Sequence, residues 1–117
     1  MLAAPERLAP ASRRLLTKSD NELLLSAASA WEIAIKHGLG KLRLPDTPER
    51  AIPELMARTG VVSLPVLHRH ALRVATLPRK HLDPFDRLIV AQAQIEDLAI
   101  LTADRSFRLY DVKVIAA

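Results

Sequence analysis

Leu23-Leu24-Leu25-Ser26-Ala27-Ala28-Ser29-Ala30-Trp31-Glu32-Ile33-Ala34-Ile35-Lys36-His37-Gly38 is the stretch on which the fold turns. Leu23-Leu24-Leu25 is a short apolar run behind the turn-like Lys18-Ser19-Asp20-Asn21, and it reads as a buried strand. Ser26 to Gly38 reads as a helix stopped by glycine, the residue that most easily leaves the helical conformation. Trp31, Ile33 and Ile35 are expected in the core. A buried strand that runs straight into a helix is the first half of a crossover, and crossovers join parallel strands.

The same alternation continues in both directions. Pro10 to Leu16 reads as a short helix, with Pro10 at a tolerated first-turn position. Thr47-Pro48 supplies an N-cap followed by proline and opens a helix to about Arg58, in which Pro53 is expected to kink or shorten the run. Val61 to Leu64 is a second strand and Leu67 to Ala75 a third helix. After a loop with two prolines, Leu77 to Pro84, comes the strongly apolar helix Phe85 to Glu96. Leu98 to Leu101 and Val112 to Ile115 complete the strands. The expectation is an α/β chain with a parallel sheet, organised as one domain over residues 1–117 without repeat or linker.

Composition narrows the function. With 50% hydrophobic and 26% charged residues, the chain can build a core and carries no disorder signature. Its net charge of +4 suits a polyanionic partner but is too small to specify one. The lack of cysteine excludes a disulfide framework, a thiolate zinc site and a cysteine nucleophile. Trp31, Phe85, Phe107 and Tyr110 are too few for a base-stacking module, so any contact with nucleic acid would run through its backbone. No apolar run approaches the roughly 18 residues of a membrane helix. Met1 to Pro10 has neither a basic nor an apolar signal segment, so a cytoplasmic protein is expected.

Ligands of open parallel sheets gather outside the carboxyl ends of the strands, where the helices begin. Three acids fall near that rim: Glu32 in the helix after the first strand, Asp86 in the first turn of the apolar helix, and Asp104 directly after Leu101-Thr102-Ala103. Each also has a structural use. Ser29 to Glu32 matches a capping box, and Glu32 and Lys36 are spaced to pair. Asp83-Pro84 is an N-cap with proline behind it, which puts Asp86 where a carboxylate suits the helix dipole. Asp104 is placed to cap Arg105 to Leu109. The functional reading is an all-oxygen cluster, which suits Mg²⁺ or Mn²⁺ and the activation of water against phosphate.

At these residues the chain resembles a known family. Ser29 to Lys36 with Gly38-Leu39-Gly40-Lys41-Leu42, then His81 to Ala93, then Leu101 to Asp104 with Phe107, are similar to three ordered blocks of VapC-type PIN domains. The resemblance runs from about residue 8 to residue 115. It implies a three-layer α/β/α sandwich around a short parallel sheet. It also implies a Mg²⁺- or Mn²⁺-dependent endoribonuclease, the toxin of a type II toxin–antitoxin pair, that forms homodimers and is silenced by a small antitoxin. Glu32, Asp86 and Asp104 would be its catalytic, metal-binding acids.

The chain departs from the family at its start. The family opens with a central strand ending in a ligand aspartate, and the first residues here do not resemble it. The only acids ahead of Leu23 are Glu6, Asp20 and Glu22. The sheet is therefore expected to lack its central first strand, as an N-terminally truncated domain would.

Lys36, Lys41 and Arg87 lie near the expected rim and are candidates for RNA phosphates, or for pairing with the acids. His37, His68, His70 and His81 are read as surface or structural residues. Ser29 and Thr102 could orient a metal-bound water. Three functions compete: a ribonuclease toxin, a catalytically incomplete domain that acts only through antitoxin or self binding, and a nuclease directed at DNA.

Overall fold

The computed structural model describes residues 14–18, 22–79 and 83–116. Its elements are β1 (Leu15–Thr17), β2 (Leu23–Ser26), α1 (Ala27–Gly38), α2 (Pro48–Thr59), β3 (Val62–Leu64), α3 (His68–Arg73), α4 (Pro84–Glu96), β4 (Ala99–Thr102) and β5 (Val114–Ala116). Single 3₁₀ turns follow α3 and β4, at Val74–Thr76 and Arg105–Leu109.

The sheet has five strands in the order β3-β2-β1-β4-β5. β2 pairs parallel with β3 and β4 with β5, while β1 runs antiparallel to both β2 and β4. The four outer strands therefore share one direction, and their carboxyl ends form one rim. The parallel alternation expected from the sequence holds for these four. Two expectations are corrected. Leu15 and Leu16 belong to a strand rather than to the end of a helix, and the sheet is mixed, with its central position filled. Residues 10–13 of the expected helix lie outside the described residues. A helix of so few residues gains little from its own hydrogen bonds. In the central slot Leu16 pairs on both sides and becomes wholly buried, while Leu15 pairs with Leu101.

Alternate strand residues face opposite layers. Leu16, Leu24 and Ile100 pack with Ile89, Val90 and Ala93 of α4 and with Phe107 and Tyr110. Leu25 packs with Ile33 of α1, Leu42 and Ile52 of α2, with Leu15 against them. Core on both faces of the sheet makes three layers, as expected. In α1 the buried positions are Ala28, Ser29, Glu32 and Ile33, a repeat of one and four. That face turns Trp31, 61% exposed, and Ile35, 39% exposed, outward, which corrects their expected place in the core. Trp31 and Phe85 form a T-shaped ring pair, 4.9 Å between centroids.

Candidate active site

Local sequence fixes the frame of the site. Ser26 ends β2 and caps α1, its Oγ accepting from the Ala28 N–H at 3.0 Å. The cap therefore lies three residues ahead of the one expected at Ser29, which leaves Glu32 free of capping duty. The Ser26 hydroxyl also donates to Gln92 Oε1, and Gln92 Nε2 donates to the Pro65 carbonyl at 3.1 Å. This buried link ties α4 to the end of β2. Asp83 caps α4 by accepting from the Asp86 N–H at 2.8 Å, with Pro84 in the first turn. Asp86 is thereby held on the rim beside α1.

The register of β1 brings a third group to the same place. Leu15 lies opposite Leu101, so the preceding residue, Arg14, arrives level with Thr102 at the carboxyl rim. Its Nη1 donates to Glu32 Oε1 at 3.1 Å and to Asp86 Oδ1. All three residues are buried, and the guanidinium carbon stands 5.8 Å from the centre of the Phe107 ring. Lys36 reaches the other oxygen of Glu32 at 3.6 Å, the i,i+4 pair expected from spacing. Two buried atoms have no hydrogen-bond partner among the described residues: Arg14 Nε and Ser29 Oγ.

Asp104 stands apart in its bonding. Its Oδ1 accepts from the Ser106 N–H at 2.9 Å, and its own N–H donates to Thr102 Oγ1 at 3.0 Å. It caps the 3₁₀ turn, the structural use open to it from the sequence. It still acts on Asp86 through space. Burial raises the Asp86 carboxyl from 3.8 to about 7, Arg14 opposes the rise, and the charges of Asp83, Glu32 and Asp104 add to it. A carboxyl balanced near neutrality can take up or release a proton at physiological pH.

The structure thus brings Glu32 and Asp86 together, with Lys36 at the margin. It sets Arg87 elsewhere. The Arg87 guanidinium donates to the carbonyls of Pro78 at 2.8 Å and Val74 at 3.2 Å and to the Tyr110 hydroxyl at 3.1 Å, and so anchors the chain ahead of α4. His70 is structural, as expected. Its Nδ1 accepts from the Leu67 N–H at 3.0 Å, which leaves Nε2 to donate to Glu96 Oε2 at 2.8 Å. His81 lies outside the described residues.

Sequence reasoning did not single out Arg14. An arginine beside Arg13 has the look of surface charge, and only the pairing of Leu16 with Ile100 reveals where it goes. Nor do the described residues fit a divalent ion as they stand. The cation position between Glu32 and Asp86 holds a guanidinium, Asp104 is turned to Ser106, and no group of three or more His, Cys, Asp or Glu side chains is arranged to hold a metal.

Comparison with known proteins meets this picture from outside. The chain is similar to ribonuclease VapC16 of Mycobacterium tuberculosis (strain ATCC 25618 / H37Rv), with 46% identity over 59 residues, 50% of this chain and 42% of that protein. The chain thus matches less than half the length of this curated relative. No solved structure matches. The family model of the PIN domain matches residues 1–113, nearly the whole chain, and agrees with the three layers. The chain belongs to the PIN-domain family.

Proposed function

We propose that this chain is a VapC-type ribonuclease, the toxin of a toxin–antitoxin pair, with Glu32, Asp86 and Asp104 as its catalytic acids and Mg²⁺ or Mn²⁺ as its cofactor. The observation that carries this reading is the convergence of Glu32 and Asp86, from helices on different sides of the rim, on a single cation. Burying two like charges side by side is costly, and a fold that needed only helix caps would not do it. The likeness to a ribonuclease supports RNA as the substrate. Lys36, which already neutralises part of Glu32, is the basic residue best placed to meet a phosphate.

Partners follow the same reading. Trp31 and Ile35 of α1 and Leu39 just past its end are exposed at helical spacing, a stripe suited to an antitoxin segment or to the second subunit of a homodimer. A cytoplasmic setting belongs to the same proposal; among the described residues no helix is long and apolar enough to cross a membrane.

RNA cleavage assayed with Mn²⁺, with EDTA, and in Glu32→Gln is the test. The proposal expects cleavage by the first sample alone, with a loss of at least about 100-fold in the variant, on the scale typical of a group that stabilises charge in a transition state. Cleavage that survives EDTA contradicts the cofactor. Faster cutting of DNA than of RNA contradicts the substrate. One observation favours a second reading, a binding domain without catalysis: the Arg14 guanidinium already satisfies the acids. That reading expects antitoxin binding with no cleavage under any metal.

A further inference from the structure

We propose that Arg14 is an internal cation that competes with a divalent metal ion: it holds Glu32 and Asp86 in an off-state, and the ion binds only when Arg14 withdraws. This rests on the reading of Glu32 and Asp86 as metal-site acids.

Position comes first. β1 enters the sheet from the carboxyl rim, so the residue ahead of it must lie among the acids. The Arg14 side chain is buried there, and one nitrogen, Nη1, serves both carboxylates. Oxygens that coordinate a divalent ion lie about 2.0–2.6 Å from it. An ion shared by Glu32 and Asp86 would need the space that Nη1 fills, so the two cations exclude each other.

The guanidinium also bonds unlike that of an arginine of purely structural use, with Nη1 on the two carboxylates and Nε unpartnered among the described residues. Arg87 shows what such a residue looks like here, with its donors spread over backbone carbonyls and a hydroxyl. Arg14 Nε is buried with no acceptor among the described residues, and the guanidinium carbon lies over the Phe107 ring. Charge points the same way. One guanidinium brings a single positive charge to Glu32 and Asp86, with Asp83 and Asp104 nearby, whereas a divalent ion brings two. The acids therefore favour the ion once Arg14 is out of the way. Mutual exclusion couples the two: a weaker Arg14 contact strengthens metal binding, up to the affinity of the site with Arg14 withdrawn.

Mn²⁺ binding measured by calorimetry on wild type, Arg14→Met and Arg14→Lys tests this. Methionine keeps much of the length and removes the charge, and its site should bind Mn²⁺ at least about tenfold tighter than wild type, within the usual span of such couplings. Lysine keeps the charge and should stay close to wild type. Equal affinity of wild type and Arg14→Met overturns the inference and leaves the metal reading of the acids intact. No binding by either overturns both. Should Arg14→Met fail to fold, wild type with ¹⁵N-labelled arginine decides. Adding Mg²⁺ should release the restrained Arg14 guanidinium signal in step with changes at the Glu32 and Asp86 carboxyls. Carboxyl changes with an unmoved Arg14 signal, or no Mg²⁺ response at all, overturn it.

Discussion

Asp86 meets opposing demands in the space of one side chain. Its backbone belongs to the capped first turn of α4, where a negative charge is welcome, but its carboxyl is buried among other acids. Burial dominates and lifts it from 3.8 to about 7 in spite of Arg14. The sign of the linked stability follows. Between about pH 4 and pH 7 the unfolded chain has already released this proton while the folded chain keeps it, so stability falls as pH rises through that window. The contribution is fully present below 3.8 and is lost by about 7. Asp86→Asn removes the titration, so thermal unfolding from pH 4 to 7 should show a curve that falls less steeply than that of wild type. Parallel curves would mean that Asp86 titrates normally. Glu96 behaves in the opposite sense. Hydrogen bonds from His70 and Arg69 lower its pKa, so what it contributes is lost as pH falls. At this scale the sequence made Glu32, Asp86 and Asp104 visible, because each stands at a fixed offset from a strand end or a helix start. It could not separate the pair that shares a cation from the one that caps a turn. That difference depends on where Arg14 arrives, and Arg14 has no local signal.

At the scale of elements, signals that lie within a few residues proved readable. The apolar run of β2, the Asp83-Pro84 start of α4 and the Thr47-Pro48 start of α2 each carry their own cause in the adjoining residues, whereas α1 is ended past Gly38, by the left-handed Gly40 with φ of 73°. β1 does not. Arg14-Leu15-Leu16-Thr17 is compatible with helix or strand, and the choice is made by strands distant in the chain, through Leu16 opposite Leu24 and Ile100. Two predictions belong here. Leu16 is fully buried in the middle strand, so Leu16→Ala should cost about 2–5 kcal/mol in chemical denaturation. A loss below about 0.5 kcal/mol, the range of surface substitutions, would place β1 outside the core. Asp97 ends α4 with φ of 55°, a left-handed conformation that glycine adopts without strain. Asp97→Gly should therefore stabilise the protein by up to about 1 kcal/mol, seen as a higher melting temperature. A lower one would show that its side chain does more than end the helix.

For the whole molecule, the arrangement of strands explains why the acids meet at all. Four strands run in one direction, so α1 starts, α4 starts and the turn after β4 all lie along one rim. The layers were legible as a pattern of alternation, and membership of the PIN-domain family agrees with them. The direction of the middle strand was not legible, since alternation says nothing of a strand that enters backwards. That reversed strand is what carries a positive charge into the acids. The claim on which the rest depends is that Glu32 and Asp86 form one functional pair. The most direct measurement is the rate of RNA cleavage in Mn²⁺ by wild type, Glu32→Gln, Asp86→Asn and the double variant. Residues that act as a unit are strongly non-additive, so each single variant should lose nearly as much as the double, at least about 100-fold. Single losses that multiply in the double variant, or a folded single variant that cuts at the wild-type rate, would contradict it.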